Sequence, residues 1–243
     1  MNRFGLKALF LSLLLFGSWF FPPTRSIWDK LDLCVFKFLN GTLEGHPTWQ
    51  YFWAFANGHT MDWIHDIVML LFFGIYVGIG KKEERLKRSV ELFLCILIIF
   101  INFICINKFL FTTLIEIPRQ GPSLVVENSF LLSKHVNLSN VKDRTLCSFP
   151  GDHGTTALLF MSFMFLLGGI RFGIPAALYA LFFCLPRMIS GAHWLTDNLI
   201  GSGSIALFAL SLTFGTSLFK SLRDKMMNLL KRRKHEESQE PLR

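Results

Sequence analysis

Arg187, His193 and Asp197 place a cation, an imidazole and a carboxylate within Arg187-Met-Ile-Ser-Gly-Ala-His193-Trp-Leu-Thr-Asp197, at the junction of two long apolar runs. Ionisable groups are costly beside such runs and mark functional sites there. If the chain is helical from Ala192 onward, His193 and Asp197 are four apart and share one face. The carboxylate then holds one ring nitrogen while the other faces a substrate. Arg187, just before the flexible Ser190-Gly191 break, can clamp an anion beside that imidazole. The chemistry this suggests is phosphate-ester work with a histidine nucleophile.

Three further patches fit such chemistry. Phe149-Pro150-Gly151-Asp152-His153-Gly154 is a tight break before an apolar run. A helix starting there offers free amides near Gly151 to an anion and sets His153 to protonate a leaving oxygen. Pro118-Arg119-Gln120-Gly121-Pro122 supplies a guanidinium suited to bidentate phosphate binding, and Lys108 can snorkel into the same layer. Each group also has a plainer reading. Lys108 can anchor a helix at the headgroups, His153 can be a turn residue, and Arg187 can pair with Asp197 in a structural salt bridge. The His/Asp pair can also serve a proton relay in a transporter.

The elements that must position these residues are membrane spans. Apolar residues make up 51% of the 243, with 27 Phe, and mean hydropathy is +0.42, so the expected fold is an all-α polytopic bundle. Six spans are predicted, at Leu6–Phe21, Trp63–Gly80, Ser89–Asn107, Gly154–Ile170, Phe172–Met188 and Leu195–Phe219, within one domain over 1–220. The first reads as a retained anchor, because no small-x-small cleavage site follows it. Arg3 and Lys7, the run Lys81–Arg88, Arg171 and a basic tail over 221–243 fall on one side of such a six-span arrangement. The excess of Lys and Arg makes that side cytoplasmic, with both termini, and every candidate site residue then falls on the opposite face. The net charge of +8 is accounted for by anionic lipid, without a nucleic-acid partner.

The remaining features are less pointed. Five scattered cysteines argue against a disulfide framework or a zinc site, leaving Cys34 with Cys147 as the one conceivable bridge. His59, Asp62, His65 and Asp66 form a loose set that can bind a metal, border the active site or position a headgroup; no metal or other cofactor is expected. The segment Asp29–Leu39 can lie in the interface, and Glu116–Ser148 is long enough to be a functional cap. The tail, with Lys231-Arg232-Arg233-Lys234 followed by Glu236, Glu237 and Glu240, is expected to carry little structure.

These patches together resemble the type-2 phosphatidic acid phosphatase superfamily, whose members carry Lys-x6-Arg-Pro, then Pro-Ser-Gly-His, then Ser-Arg-x5-His-x3-Asp. The third pattern is met at Arg187, His193 and Asp197, with Pro186 in place of the serine. The second is met as Pro150-Gly151-Asp152-His153. The first is met only at Arg119, since Thr112 stands where the lysine belongs and Lys108 lies a helical turn earlier. Ser148 to Gly154, Pro186-Arg187 and Gly191-Ala192-His193-Trp194-x-Thr196-Asp197 are similar to the branch that forms lipid A 1-diphosphate. Weaker similarity runs upstream through Trp19-Phe20-Phe21-Pro22 and Asn57-x4-Asp62.

The resemblance implies a bacterial inner-membrane phosphotransferase working on the periplasmic face. Its donor would be undecaprenyl diphosphate and its acceptor the 1-phosphate of lipid A. His193 would become a phosphohistidine, Asp197 would fix its tautomer, and His153 would protonate the leaving lipid phosphate. Arg119, Arg187, amides near Gly151 and, if it reaches in, Lys108 would hold the phosphate oxygens. The alternatives are a phosphatase using water as acceptor and, in a different class, a transporter. Asp152 can turn away, cap the following helix or orient His153.

Overall fold

The apolar runs become helices at each expected place, in a computed structural model that describes residues 1–239. The chain is all-helical, with no strand among the described residues. Helix α1 is Arg3–Phe20, α2 Pro22–Gly41, α3 Pro47–Ala56 and α4 His59–Gly78; α5 is one continuous helix over Lys82–Ile115. Two short helices follow, α6 Pro122–Val125 and α7 Leu132–His135, then α8 Asp152–Gly168, α9 Ile170–Ile189, α10 Asp197–Thr213 and α11 Leu218–Gln239.

Four of these (α1, α4, α5, α9) are long and apolar enough to cross a membrane, or five if α10 and α11, bent by 57°, form one broken span. The expected fourth span is α8, whose 17 residues reach only ~25 Å. The expected sixth breaks after Thr213 instead of running on to Phe219. Residues 148–151 and 190–194 are loops at one end of the bundle, and the sixth span is broken at the other end by the bend over residues 214–217.

The core is aromatic and lies between α4, α5, α8, α9, α10 and α11, where Phe73, Phe160, Phe163, Leu159 and Met164 are almost wholly buried. The α1 helix packs along α10, and its first residues meet the far end of α10, where the Asn2 amide donates to the Gly215 carbonyl at 2.7 Å. At this same end Arg223 of α11 pairs with the buried Glu91 of α5 at 3.2 Å, and Tyr76 of α4 donates to Glu91 at 3.3 Å. The basic run Lys81–Arg88, Arg171 and the start of α11 therefore share the end away from Arg187.

Where little structure was expected in the tail, α11 continues to Gln239. The stretch from Leu218 contains no Gly or Pro and is rich in Leu, Met, Lys and Arg, all strong helix formers. Residues 240–243, the end of the predicted tail, lie outside the described residues.

The opposite end carries a cap. Trp53, Ala54 and Ala56 of α3, Leu43, Leu132, Val136 and Ile189 form its own small core. Asn40 of α2 ties the layers together by donating to the Phe130 and Ile189 carbonyls at 3.0 and 2.9 Å. On α2 Asp32, Phe36 and Asn40, at i, i+4 and i+8, are buried, while the outer positions mix Ile27 and Phe38, 62% and 73% exposed, with exposed Asp29, Lys30 and Lys37. That surface suits a membrane interface, and it leaves Asp32 pointing into protein.

Candidate active site

The nucleophile candidate sits in a turn, and not on the helix face that the four-residue spacing predicts. Gly191 adopts φ +89°, which a side chain would strain, and the amides of Ala192 and His193 both return to the Arg187 carbonyl at 2.9 and 3.1 Å. This tight turn ends α9 and presents His193 just before α10. His193 Nδ1 lies 2.8 Å from the Ser148 carbonyl and 3.5 Å from Asp197 Oδ2. A carbonyl only accepts, so Nδ1 carries the hydrogen in the neutral ring and Nε2 keeps the lone pair needed for attack. Asp197 adds charge to an orientation that the Ser148 carbonyl already fixes.

Asp197 opens the first turns of α10, Asp197–Ser202, which are wound as a π-helix. The Asp197 carbonyl also accepts from the Gly151 amide at 3.1 Å and from Ser202 Oγ at 3.1 Å. The Gly151 amide, expected to face a phosphate, is thus spent joining the two loops. A Cβ at Gly151 would come within 2.6 Å of Asn198 Oδ1, so glycine there allows the close approach.

Arg119 is also committed inside the protein. It is 9% exposed, donates to both Asp197 and Asp32, and bonds Thr196 Oγ1 at 2.8 Å. Its guanidinium lies 5.4 and 5.3 Å from the Trp19 and Trp194 ring centroids. Asp32 receives Thr196 as well, through the amide at 2.9 Å and the hydroxyl at 2.6 Å. Burial raises the Asp32 carboxyl above the usual carboxylate range, and Arg119 and the Thr196 donors oppose that rise.

His153 and Arg187 meet in a second group. Arg187, 4% exposed, donates to the Asn57 side chain at 2.7 Å and to Asp62 Oδ1 at 2.9 Å, and lies 3.2 Å from His153 Nε2. The Arg187–Asp197 salt bridge that the sequence allows does not form; each residue has another partner. His153 Nε2 is 3.3 Å from Asp62, and its Nδ1 is 2.7 Å from Asp152. Asp152 also accepts the His153 amide at 2.8 Å and Lys108 Nζ at 3.1 Å. Of the three roles open to Asp152, the geometry supplies orientation of His153, and Lys108 reaches the site through it. Lys142 closes the group on Asp62 at 2.6 Å. The two groups are joined through the loop 148–151, whose Ser148 carbonyl meets His193 and whose Gly151 amide meets the Asp197 carbonyl.

Of the loose His/Asp set, Asp62 belongs to this cluster and His59 touches it at 3.5 Å. His65 turns away, bonding Tyr179 at 2.6 Å against the Phe183 ring. Cys34 and Cys147 are both exposed and unbridged.

An apolar groove of about 640 Å³ runs from this polar head between α4, α5 and α8. His153, Asp152, Asp62 and Lys142 form the head, and Phe73, Phe100 and Phe103 line the body. Sequence reasoning missed Asp32, Thr196 and Lys142. Asp32 had a weak signal, since it shares one helix stripe with Phe36 and Asn40, four and eight residues on, away from the charged Asp29, Lys30 and Lys37.

A buried Arg/Asp/His assembly with an imidazole at each of two loops, in an all-helical membrane-type bundle, is the arrangement of an enzyme acting on phosphate esters. Residues 90–220 match the PAP2 superfamily, and the chain belongs to it. It is 29% identical over 198 residues to lipid A 1-diphosphate synthase of Escherichia coli (strain K12), covering 82% of this chain and 81% of that relative. No solved structure matches the chain.

Proposed function

We propose that this protein is a lipid phosphotransferase that moves the distal phosphate of undecaprenyl diphosphate to lipid A 1-phosphate, giving lipid A 1-diphosphate and undecaprenyl phosphate. The observation that carries this reading is an apolar groove headed by His153, Asp62 and Lys142, with Arg187 bonded to that head, next to the loop whose Ser148 carbonyl fixes the tautomer of His193. His193 Nε2 attacks the distal phosphorus, the bond to the bridging oxygen breaks, and His153 gives that oxygen its proton. An oxygen of the lipid A 1-phosphate then attacks the phosphohistidine, the P–N bond breaks, and His153 takes up the acceptor's proton. Arg187 and Lys142 stand where phosphoryl charge collects. The groove receives the first part of the prenyl chain, and the rest lies in lipid.

The basic segments gathered at the far end of the bundle support an orientation with that end and both termini cytoplasmic. The site then faces the periplasm from a bacterial inner membrane, with residues 1–220 as the membrane domain. The test is purified protein given undecaprenyl diphosphate labelled in the distal phosphate, with and without lipid A. Label on lipid A is the expected result; label released only as inorganic phosphate makes the enzyme a phosphatase, with water as acceptor.

A further inference from the structure

We infer that Asp32 is a positioning residue for the nucleophile, acting through Arg119, which bridges the Asp32 and Asp197 carboxylates. The inference rests on the phosphohistidine reading above and adds a residue that reading does not use. Asp32, Thr196 and Asp197 are each no more than 1% exposed, and Arg119 is 9% exposed. One guanidinium nitrogen serves Asp32 at 2.5 Å; the other serves Asp197 and the Thr196 hydroxyl. The same hydroxyl donates to Asp32, so four groups form a closed set.

The set carries one net negative charge, and its outer carboxylate faces His193 through Oδ2, which the Trp194 amide also holds at 2.7 Å. Other charge reaches His193 from Asp152 on α8, itself bonded to Lys108 and His153. Asp32 thus sets how strongly Arg119 pulls on Asp197. Without Asp32, Arg119 belongs to Asp197 alone and draws it from the imidazole. Without Arg119, two buried carboxylates face each other across Thr196, which is the worse case.

The test compares Asp32→Asn, Arg119→Gln, the double variant, Thr196→Val and Thr196→Ser in full-length protein. Asp32→Asn lowers kcat by about tenfold with KM and the Ki of inorganic phosphate unchanged. Arg119→Gln loses more, and the double variant, which restores one net negative charge, regains about tenfold over Arg119→Gln and unfolds at a higher temperature than it. Thr196→Val, which keeps all three charges, lowers kcat, and Thr196→Ser restores it. The inference is overturned if the double variant is no better than Arg119→Gln. It is equally overturned if Arg119→Gln raises KM and the phosphate Ki while Asp32→Asn behaves as wild type. The unfolding comparison needs no substrate, so wild-type protein inert toward undecaprenyl diphosphate removes the proposed donor and leaves this inference decided by the unfolding order.

Discussion

Thr156 is the residue through which the groove can be tested without touching the catalytic groups. It lies one helical turn beyond His153 on α8 and lines the groove next to the polar head, opposite Phe100 and Phe103 of α5. Replacing it with phenylalanine places an aromatic ring where the first prenyl unit of a bound lipid diphosphate would lie. The size of the effect is not the water-to-oil free energy of a prenyl chain, because the chain arrives from lipid and loses no contact with water. What changes is packing. Forcing extra carbons into a fitted space costs about 1–3 kcal/mol, which is roughly 5- to 150-fold in kcat/KM. The assay is turnover of undecaprenyl diphosphate against inorganic pyrophosphate, which has the same reacting bond and no chain. Thr156→Phe should lower the first by that factor and leave the second within about twofold, so the ratio reports the groove alone. If both fall together, the ring has disturbed His153, and if neither changes, the chain does not lie between α4, α5 and α8. The second result refutes the placement, and the first refutes the claim that Thr156 can be changed without touching the catalytic groups.

His193→Gln should abolish transfer of the distal phosphate by at least about a thousandfold and prevent trapping of acid-labile label on the protein. Asp152→Asn loses the charge that holds His153 and Lys108, and a drop in kcat of about tenfold is expected. Lys108→Met should show a smaller drop, since Lys108 is half exposed and acts only through Asp152. At the other end of the bundle, Arg223→Gln leaves the buried Glu91 with only Tyr76 at 3.3 Å and Lys87 at 3.8 Å. It should destabilise the protein by about 1–2 kcal/mol in thermal unfolding with kcat unchanged.

What could be read from the sequence follows what side-chain chemistry specifies locally. Long apolar runs bounded by charge gave α1, α4, α8 and α9 with ends within about four residues, because burying backbone in lipid forces helix. By contrast, α5 extends over Lys82–Ile115 beyond the expected Ser89–Asn107, and α10 stops at Thr213 short of Phe219. Arg187, His193, Asp197 and His153 stood out because an ionisable group between apolar runs is costly to keep unless it has a task. The partners of these groups were harder to see. Which carboxylate takes which arginine depends on how the cap folds over the bundle, and that packing joins Asp32, Arg119 and Asp197 from three distant parts of the chain. The tautomer of His193 was equally hidden, since it is fixed by the Ser148 backbone carbonyl, which no residue type announces.

The structure separates two kinds of cation that a motif treats alike. Arg187 and Arg119 are both buried, and both are paired to aspartate. Arg187 shares Asp62 with Lys142 and His153 at the head of a groove, where the side chain of Asp62 is 26% exposed and an incoming phosphate can replace it. Arg119 is enclosed by two fully buried carboxylates and two indoles at the junction of α2 and α10. Exchangeable pairing suits the substrate contact proposed for Arg187, and fixed pairing suits the bridging role inferred for Arg119.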